Sequence, residues 1–352
     1  MPGLGSNDLD GGGEGMEPGS VPPPVVLLRM MTGYWQAKAL AVAAELGLAD
    51  LLRDGPRTSA SLAEICKVDA DSLHRLLRAL ASVGVFVQTE QDLFALTPMA
   101  DLLRSDRPDS MRALARMYGS EHYQAWSGLL ESVRDGAPAF DHAFGASYFA
   151  YLAAHPDASS IFNDAMTGWT AQLSDAVAAA YDFSGSGLVV DVGGGTGLLL
   201  ATILQAAPAL RGTLFELSHV AEQADAYLRA TPIGDRCTVV AGDFFDAVPG
   251  GGSFYALAQI LHDWDDGQCA KILRNCREAM LPGAKLLIIE QVIPPRNEPS
   301  LGKWLDLHML VLLGGRERTE AEYASLLSAA DLKLDRLIPT AAGASILEAT
   351  AA

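Results

Sequence analysis

The sequence predicts an α/β protein of two domains, a mainly helical winged-helix domain followed by a domain with a parallel α/β sheet. Three observations predict this fold. From residue 187 onward, short apolar strands alternate with helices, which is typical of a parallel sheet covered on both faces. The first of these strands ends in a glycine-rich turn at residues 193–197. Residues 58–97 read as two helices followed by a β-hairpin, which is the order of a winged helix.

The chain is long enough for two domains and is strongly acidic. It has 352 residues, of which 49% are hydrophobic, with 43 acidic and 25 basic side chains and a net charge of −18. A protein of this charge is repelled by the phosphates of nucleic acids and by anionic membranes, so we expect neither as a partner. No apolar run approaches the roughly 20 residues that a membrane-spanning helix needs.

The beginning of the chain has the composition of a disordered leader, which we assign to residues 1–24. The first twenty residues are rich in glycine, proline and acidic residues, and the first cation is Arg29. A secretory signal would need an early positive charge and an apolar run. The four cysteines, at positions 66, 237, 269 and 276, form no CxxC pair. We therefore expect reduced thiols in a cytoplasmic protein.

Residues 25–109 are predicted to form the winged-helix domain. Its expected elements are a helix within 25–52, a helix opened by a capping box of Ser61 and Glu64, a helix at 72–83 capped by residues 69–71, and strands at 85–89 and 93–97. Such a domain could bind DNA through residues 72–81, or it could serve packing and dimerisation. The helix carries His74 and only two arginines, Arg75 and Arg78. Because the chain is acidic, packing and dimerisation are favoured.

Residues 110–183 are predicted to be a helical linker region, with breaks near residues 136–138 and at Gly145. One helical face of this region carries a stripe of large apolar side chains, Phe162, Met166, Trp169, Leu173 and Val177. Such a stripe is usually core. Its upper half could also line a pocket, because methionine and tryptophan form adaptable apolar walls.

The second domain is predicted to span residues 184–352, with the boundary inside residues 181–187. The expected strands are 188–192, 212–216, 237–241, 254–259, 285–290, about 333–337 and 345–349. The expected helices are about 198–206, 219–229, 267–280 and 319–330. In a parallel sheet of this kind, ligands bind at the C-terminal ends of the strands.

Three successive strands end in residues that suit a nucleotide-like cofactor. They are the glycine turn from Gly193 to Gly197, then Glu216, and then Asp243 with Phe244. Glycines let a ligand approach the backbone, and the helix that follows presents free N–H groups. An acidic residue about 20 positions past the turn accepts the hydroxyls of a ribose. Asp243 could accept from an adenine amino group while Phe244 covers the ring.

The spacing of the glycines selects among nucleotide cofactors. The dinucleotide pattern GxGxxG would need glycine where Leu198 stands, and no lysine follows Gly197 as in a phosphate-binding loop. Asp191, just before the turn, is unfavourable for a pyrophosphate and well suited to a cationic amino-acid group. S-adenosylmethionine (SAM) combines such a group with a ribose and an adenine. The sequence therefore predicts SAM as cofactor and S-adenosylhomocysteine as its product.

The strongest candidate for acid–base chemistry is His262, in the loop that follows the fourth strand. A phenol titrates near pH 10, so a neutral imidazole nearby could remove its proton as the oxygen attacks the methyl group. Glu290 ends the next strand and Glu317 follows a pair of glycines. Either carboxylate could orient the imidazole and stabilise its protonated form.

Purely structural roles for the acidic residues near His262 stay open at this point. Glu317 lies between two arginines and could form a surface ion pair, while Glu320 with Thr319 resembles a helix cap. The aspartates at 263, 265 and 266 beside His262 could suggest a metal site. Helix capping by Asp265 and Asp266 is preferred, and no metal is expected.

Five segments of the chain, read together, resemble SAM-dependent small-molecule O-methyltransferases. These are DVGGGTG (191–197), FELSHV (215–220), GDFF (242–245), LHDWDD (261–266) and GGRERTE (314–320). The family includes plant caffeate- and flavonoid-type enzymes and bacterial enzymes that tailor aromatic polyketides. The similarity covers nearly the whole chain from about residue 25.

The resemblance implies an N-terminal winged-helix dimerisation domain and a C-terminal Rossmann-like methyltransferase domain. It also implies a homodimer whose partner contributes to the acceptor pocket, a small aromatic acceptor and no metal. Four residues match the family's cofactor contacts: Gly193, Glu216, Asp243 and Phe244. Four more, in or beside the same motifs, are also expected to bind the cofactor: Asp191, Gly195, Gln259 and Trp264. His262 matches the general base, and Glu290 and Glu317 match its flanking acids. The residues on segments that line the acceptor pocket are Phe162, Met166, Trp169, Trp304, Asp306 and Met309.

Two positions depart from the plant members of the family. Glu216 stands where they usually carry aspartate, and Ala258 stands where they often carry lysine, a contact that Gln259 could replace. Besides O-methylation, two other functions remain open at the level of sequence. One is hydroxylation or decarboxylation by the same SAM-binding fold, and the other is a transcriptional regulator with an inactive enzyme domain.

Overall fold

The structure, a computed structural model, describes residues 21–352. Its helices are α1 (Pro23–Glu45), α2 (Leu48–Leu51), α3 (Ser59–Cys66), α4 (Ala70–Ser82), α5 (Pro98–Asp101), α6 (Arg112–Gly119), α7 (Glu121–Trp126), α8 (Leu129–Asp135), α9 (Ala139–Phe144), α10 (Tyr148–Ala154), α11 (Pro156–Ala180), α12 (Leu198–Ala206), α13 (Ser218–Arg229), α14 (Asp266–Ala279), α15 (Leu301–Leu312) and α16 (Glu320–Ser328). Its strands are β1 (Arg57–Thr58), β2 (Phe86–Gln88), β3 (Leu93–Leu96), β4 (Gly187–Val192), β5 (Leu210–Glu216), β6 (Cys237–Ala241), β7 (Phe254–Ala258), β8 (Lys285–Glu290), β9 (Val292–Ile293), β10 (Arg318–Thr319), β11 (Leu332–Pro339) and β12 (Ser345–Ala351). Across residues 21–352, every helix is too short or too polar to span a lipid bilayer.

The N-terminal domain is a winged helix, as predicted. Helices α3 and α4 are followed by the hairpin β2–β3, and β1 completes a three-stranded antiparallel sheet in the order β1-β3-β2. On α4, Leu73, Leu77 and Leu80 are buried at helical spacing. They belong to the same apolar cluster as Phe86 and Phe94 of the sheet. Burial of this face is what holds the helices on the hairpin.

The face of α4 that was considered for DNA contact carries few cations. Arg75 and Arg78 are exposed, whereas His74 packs edge-to-face on Phe94 with 5.6 Å between ring centroids. Its Nδ1 also lies 3.3 Å from the hydroxyl of Ser59. Two arginines on an acidic protein are a weak electrostatic footprint for a nucleic acid.

Three local predictions for this domain need correction. The predicted capping box of Ser61 and Glu64 is wrong, because α3 begins earlier and its N-cap is Thr58, which accepts from the backbone N of Ser61. Asp69 caps α4 as expected, but the helix begins at Ala70 rather than at residue 72. The predicted leader lies mostly outside the described residues, and within them α1 already begins at Pro23. Proline suits the first helical turn, where its missing N–H would have no partner.

The helical region between the two domains consists of α6 to α11. Gly136 and Gly145 end α8 and α9 with φ of 77° and 70°, which confirms the predicted breaks. On the long helix α11, Leu173 and Val177 are fully packed into a core cluster with α12. The lower half of the predicted apolar stripe is therefore core.

The second domain contains a seven-stranded sheet in the order β11-β12-β8-β7-β4-β5-β6. Strands β4 to β8 run parallel, while β12 pairs antiparallel with both β8 and β11. Successive residues of β4 face opposite sides, with Val189 in one core cluster and Val190 in the other. The same alternation holds in β8. Both faces of the sheet are therefore buried, which explains the continuously apolar strands.

The topology places the cofactor turn at the centre of the sheet. From β4 the chain adds β5 and β6 on one side, and it then crosses to add β7 and β8 on the other side. Strand β4 is therefore the point at which the direction of winding reverses. A crevice opens there at the C-terminal edge, and this is where such sheets bind ligands.

Several elements were not predicted from the sequence. Helix α15 is apolar on more than one face and shows no simple amphipathic period, and β9 and β10 are too short for any pattern. The capping assignment for Glu320 is wrong: Glu322 forms the capping box with Thr319 and opens α16. All four cysteines have free thiols, as expected.

Candidate active site

The glycine turn after β4 adopts backbone conformations that other residues rarely reach. Gly193, Gly195 and Gly197 have φ of 70°, 57° and 82°. At Gly194 a Cβ atom would lie 2.3 Å from the carboxylate of Asp191, so only glycine fits there. Above Gly195 a Cβ atom would meet nothing within 4 Å. The turn thus packs tightly on its inner side and leaves open space on its outer side, as a ligand cradle requires.

Asp191 lies beneath this turn with only 1% of its surface exposed. Neither of its carboxylate oxygens has a hydrogen-bond partner within residues 21–352. Burial, with a smaller contribution from Glu216, raises the pKa of Asp191 to about 7. A buried carboxylate without a partner is costly unless a cation or donor compensates it. The site therefore fits the ammonium group of an amino-acid moiety.

Glu216 and Asp243 lie at the ends of the neighbouring strands β5 and β6. Glu216 accepts from the backbone N of Gly195 at 3.1 Å and from that of Leu217 at 2.8 Å, so its carboxylate reaches the glycine turn. Asp243 accepts from the backbone N of Phe245 at 2.8 Å. Both carboxylates remain partly exposed and keep acceptor capacity for ligand hydroxyl and amino groups.

Aromatic side chains close one side of the crevice. A Cβ on Gly193 would lie 3.4 Å from the ring of Phe244, so that ring borders the turn. Trp264 packs edge-to-face on Phe245 with 4.8 Å between centroids, and its centroid lies 6.2 Å from that of Phe244. The structure therefore brings the predicted adenosine-side residues together at one edge of the sheet.

His262 lies on a 3₁₀ turn, Leu261–Asp263, directly after β7. Its Nδ1 is 2.9 Å from Glu317 Oε1 and 3.6 Å from Glu290 Oε2, and its side chain is 12% exposed. Gln259, where the turn begins, has a positive φ of 55°. Such a conformation is strained for a residue with a side chain, and strain of this kind concentrates at functional sites.

Glu290 is fully buried and holds the backbone of the His262 turn. Its Oε1 accepts from the backbone N of Ile260 at 2.9 Å and from that of Leu261 at 2.8 Å. Gln259 donates its side-chain amide to the other carboxylate oxygen at 3.4 Å. Burial is the main reason that the pKa of Glu290 rises to about 7. Gln259 therefore contacts the carboxylate that holds the His262 turn.

Glu317 contacts His262 because two short strands bring their segments together. β9 and β10 pair in parallel, with Arg318 opposite Val292, and this pairing places the residue before β10 against the site. Glu317 is 2% exposed, so the interpretation as a surface ion pair is wrong. Its backbone N donates to Asp306 of α15 at 3.1 Å, and burial raises the pKa of Asp306.

The charge of His262 differs from the sequence expectation. Burial alone would lower the pKa of the imidazole, but Glu290, Asp263 and Glu317 together raise it to about 10. The three carboxylates therefore favour the protonated imidazole, whereas the sequence argument assumed a neutral one. Three carboxylates around one imidazole stabilise the imidazolium that a proton-accepting step produces.

The geometry also bears on metal binding. His262, Glu290 and Glu317 each offer a ligand atom, and these atoms lie within 4.8 Å of one another. Each group is also used by the protein, through the Nδ1–Oε1 contact and the backbone bonds of Glu290. Two of the three aspartates beside His262 have other partners, since Asp265 caps α14 and Asp266 pairs with Arg318 at 2.8 Å. Asp263 Oδ1 lies 3.4 Å from His262 Nε2.

Arg318 was not identified from the sequence, although it holds the His262 turn from the opposite side. It is 1% exposed and donates to the backbone O of Leu261 at 2.9 Å and of Trp264 at 2.8 Å. At Gly315, a Cβ atom would lie 2.1 Å from the backbone O of His262, so the turn also needs glycine beside it. The pair of glycines before Glu317 was the signal in the sequence for this close approach.

The predicted acceptor-side residues are not all gathered in one place. Phe162 packs edge-to-face on Tyr148 with 5.6 Å between centroids, and Met309 is buried on α15. Met166 and Trp169 are half-buried against a small cluster of α6 and α11. Trp304 is 58% exposed, and the carboxylate of Asp306 is used by the backbone of Glu317.

Comparisons with known proteins agree with this geometry. Residues 126–333 match the O-methyltransferase domain and residues 28–106 the O-methyltransferase dimerisation domain. The chain is 51% identical to phenazine O-methyltransferase PhzM of Lysobacter antibioticus, covering 94% of this chain and 97% of the relative. It is 42% identical to the mitomycin biosynthesis 6-O-methyltransferase of Streptomyces lavendulae, covering 89% and 90%. An O-methyltransferase from neocarzinostatin biosynthesis, NcsB1, solved with SAM and 2-hydroxy-5-methyl naphthoic acid, is similar with a TM-score of 0.77 and 37% identity, covering 90% and 96%.

Proposed function

Because the chain belongs to the family of SAM-dependent O-methyltransferases, we propose that it methylates a phenolic hydroxyl of an aromatic natural product, such as a polyketide-derived intermediate. The observation that carries this proposal is the buried contact between His262 and Glu317 at the edge of the crevice that contains the glycine turn. The relatives named above support an aromatic acceptor through the names of their own substrates and products.

Each region of the chain has a proposed role. Residues 25–109 form the dimerisation domain, residues 110–183 contribute to the acceptor pocket, and residues 184–352 bind SAM. Asp191, Glu216 and the glycine turn hold the amino-acid and ribose groups, and Asp243 with Phe244 holds the adenine. When bound, SAM supplies a methyl group that is activated by a positively charged sulfur.

His262 is the proposed general base. Its Nδ1 faces Glu317, and its Nε2, which lies 3.4 Å from Asp263 Oδ1, is the atom proposed to take the proton from the acceptor hydroxyl. As the proton arrives, the imidazolium is stabilised by Glu317 and Glu290. General-base help is worth about 10²–10⁴ in rate, whereas positioning of the reactants supplies about 7–11 kcal/mol. Positioning of the reactants is therefore expected to contribute more to the rate than proton removal by His262 does.

Mass spectrometry of the product tests the reaction. The purified protein is incubated with SAM and a panel of phenolic acids, hydroxyanthraquinones and flavonoids. We expect a product heavier than its acceptor by one CH₂ group, together with S-adenosylhomocysteine. A gain of one oxygen or a loss of carbon dioxide would instead favour hydroxylation or decarboxylation. Failure of SAM to bind in calorimetry would overturn the proposal at its first step.

The pH dependence of kcat/KM reports the charge of His262. The imidazole accepts a proton only when it is neutral, and its pKa is raised to about 10. We therefore expect kcat/KM to rise with pH through the neutral and alkaline range. Because Glu317 contributes to that raised pKa, Glu317→Gln should move the rising limb to lower pH. Glu320→Gln, on the exposed first residue of α16, is the control and should leave the limb in place. An unmoved limb in both variants would mean that another group titrates.

The proposed homodimer uses the exposed apolar face of α1. Leu27, Met30, Met31 and Trp35 are all exposed on this helix, within or beside the segment that matches the dimerisation domain. A large exposed apolar surface of this kind marks a contact site. The double variant Leu27→Glu/Met31→Glu should be monomeric in light scattering after size-exclusion chromatography.

A matched control exists for this experiment. Val133 on α8 is 64% exposed, the same fraction as Met31, and lies outside the dimerisation segment. Val133→Glu should therefore remain dimeric. A monomeric wild-type protein, or a double variant that still dimerises, would contradict the assigned surface.

A further inference from the structure

A buried chain of polar aromatic groups connects the helical region to the second domain, and the chemistry described so far does not use it. Trp126 Nε1 donates to His308 Nδ1 at 2.8 Å. His308 Nε2 lies 3.2 Å from His122 Nδ1, and His122 Nε2 lies 2.7 Å from the hydroxyl of Tyr148. Both histidines and Tyr148 are buried. We refer to these four residues as the histidine chain.

Only one arrangement of protons satisfies every contact in the histidine chain. The indole of Trp126 is only a donor, so His308 Nδ1 must accept and its proton must be on Nε2. That proton is donated to Nδ1 of His122, which therefore carries its own proton on Nε2. The latter N–H is donated to the oxygen of Tyr148. A second proton on either imidazole would place two donors face to face, so the chain is uncharged.

The charge state of the two histidines agrees with this assignment. Burial lowers the pKa of His308 to about 4. Burial, followed by the proximity of His308, lowers the pKa of His122 well below its ordinary value. Both imidazoles are therefore neutral at physiological pH, which is the state that the hydrogen-bond directions require.

One donor is left over at the end of the histidine chain. The oxygen of Tyr148 is occupied as an acceptor, so its O–H proton must point elsewhere. Within residues 21–352, its only hydrogen-bond contact is the one to His122. Glu121 lies near enough to help raise the pKa of Tyr148, but its carboxylate contacts the hydroxyl of Tyr151 instead. A buried donor without an acceptor is costly, so this O–H is suited to a ligand atom.

The histidine chain lies beside the proposed acceptor side of the active site. The ring of Tyr148 packs on that of Phe162, with 5.6 Å between centroids. His308 belongs to α15, the helix whose Asp306 holds the backbone of Glu317. One helix thus connects the histidine chain to the carboxylate that contacts the proposed base.

We propose that the Tyr148 hydroxyl, directed by His122 and His308, donates a hydrogen bond to a neutral acceptor atom of the aromatic substrate, either a carbonyl oxygen or a ring nitrogen. This inference rests on the proposed function and names its substrate class more closely. The histidine chain contains no cation that could compensate a buried carboxylate, so a neutral acceptor atom is favoured over a charged one. Tyr148 is thereby a specificity-determining residue.

The first test compares three phenolic acceptors: a quinone, a hydrocarbon phenol without a carbonyl group, and a phenol with a carboxylate. Tyr148→Phe and the wild type are assayed with 2-hydroxyanthraquinone, 2-hydroxyanthracene and 3-hydroxy-2-naphthoic acid. We expect Tyr148→Phe to lose about 10- to 100-fold in kcat/KM with the quinone. The change should be at most threefold with the other two. Each comparison is made between enzymes on one substrate, so differences in phenol acidity cancel.

Tyr151→Phe is the matched control, because this tyrosine lies on the same helix and, among the described residues, its hydroxyl forms a hydrogen bond only with Glu121, at 3.4 Å. It should behave as wild type on all three acceptors. Binding of S-adenosylhomocysteine and thermal unfolding show whether each variant is folded. An equal loss of kcat/KM on all three acceptors, or an equal lack of effect, would overturn the inference. The inference would also be overturned if the wild type methylated 3-hydroxy-2-naphthoic acid and neither of the other two acceptors.

The second test reads the proton arrangement directly. In ¹⁵N NMR spectra of wild-type imidazoles, His122 and His308 should both be neutral with the proton on Nε2. His308→Leu removes the group that fixes the tautomer of His122, so His122 should then populate both tautomers. The preference for the quinone should weaken although the Tyr148 hydroxyl remains. A fixed tautomer with unchanged selectivity would contradict the role of His308.

Different results would contradict the proposed function and the role of Tyr148. If no phenol is methylated by the wild type, the proposed function itself is wrong. If methyl transfer is observed and Tyr148→Phe shows no selective loss, the proposed function stands and only the assignment of Tyr148 is wrong.

Discussion

Replacing His262 with alanine is expected to lower kcat by about 10²–10⁴, while S-adenosylhomocysteine binds as tightly as to the wild type. The imidazole lies on the 3₁₀ turn after β7, with its Nδ1 against Glu317. Its removal takes away the proton acceptor but leaves the glycine turn, Asp191 and Glu216 in place. Activity should therefore fall without vanishing, because positioning of the reactants remains.

Single-turnover kinetics and calorimetry check this expectation. His142→Ala is the control, since His142 is exposed and its Nε2 lies 3.4 Å from Asp135. It should keep wild-type kcat. A His262→Ala enzyme with full kcat at neutral pH would mean that the acceptor loses its proton without help from this residue. A loss of cofactor binding would mean that the turn itself has moved.

Replacing Arg318 with methionine is expected to lower the free energy of unfolding by about 3 kcal/mol and kcat by about 100-fold. The guanidinium is buried and donates to the backbone O of Leu261 and of Trp264, on either side of His262. Methionine fills a similar volume but leaves both buried carbonyls without their donor. The His262 turn then loses its support on the side opposite Glu290.

Arg316, which lies two positions before Arg318 in the loop that leads into β10, offers a matched control. Its side chain is 52% exposed and lies 3.7 Å from Glu322, so Arg316→Met should change stability by less than about 1 kcal/mol. Urea unfolding and steady-state kinetics check both variants. Because Arg318 acts through the position of His262, kcat should fall more than KM rises, and Arg318→Lys should recover part of the loss. Wild-type kinetics in Arg318→Met would show that Glu290 alone holds the turn.

Local hydrogen bonding explains which parts of the fold were predictable. Asp69 and Asp265 each cap a helix by accepting from the backbone N three residues later, a contact that is contained within one short segment. The same reasoning failed at Ser61, because Thr58 caps first and the helix begins before it. Competing caps a few residues apart cannot be ranked from the sequence.

The active site shows the same difference between contacts that follow from nearby residues and contacts between distant segments. The glycine turn with Glu216 was predictable, because parallel strands bring consecutive strand ends to one edge. The contact of His262 with Glu317 joins residues 55 positions apart through two strands too short to show a pattern. The sequence offered Glu290 and Glu317 as alternative partners of the imidazole, and the resemblance to a family implied both as its flanking acids. Arg318 was missed because nothing distinguishes a buried arginine from an exposed one in a charged segment.

The sequence by itself determined the order of elements, the winged helix, the cofactor crevice and the identity of the ionisable groups around it. These follow from periodicity, turn chemistry and residue type, which act over a few neighbouring residues. Only the tertiary structure decided which carboxylates surround His262, the burial of Glu317 and the order of hydrogen-bond partners along the histidine chain. These properties depend on desolvation and on partners from distant segments, and both arise only when the chain has folded.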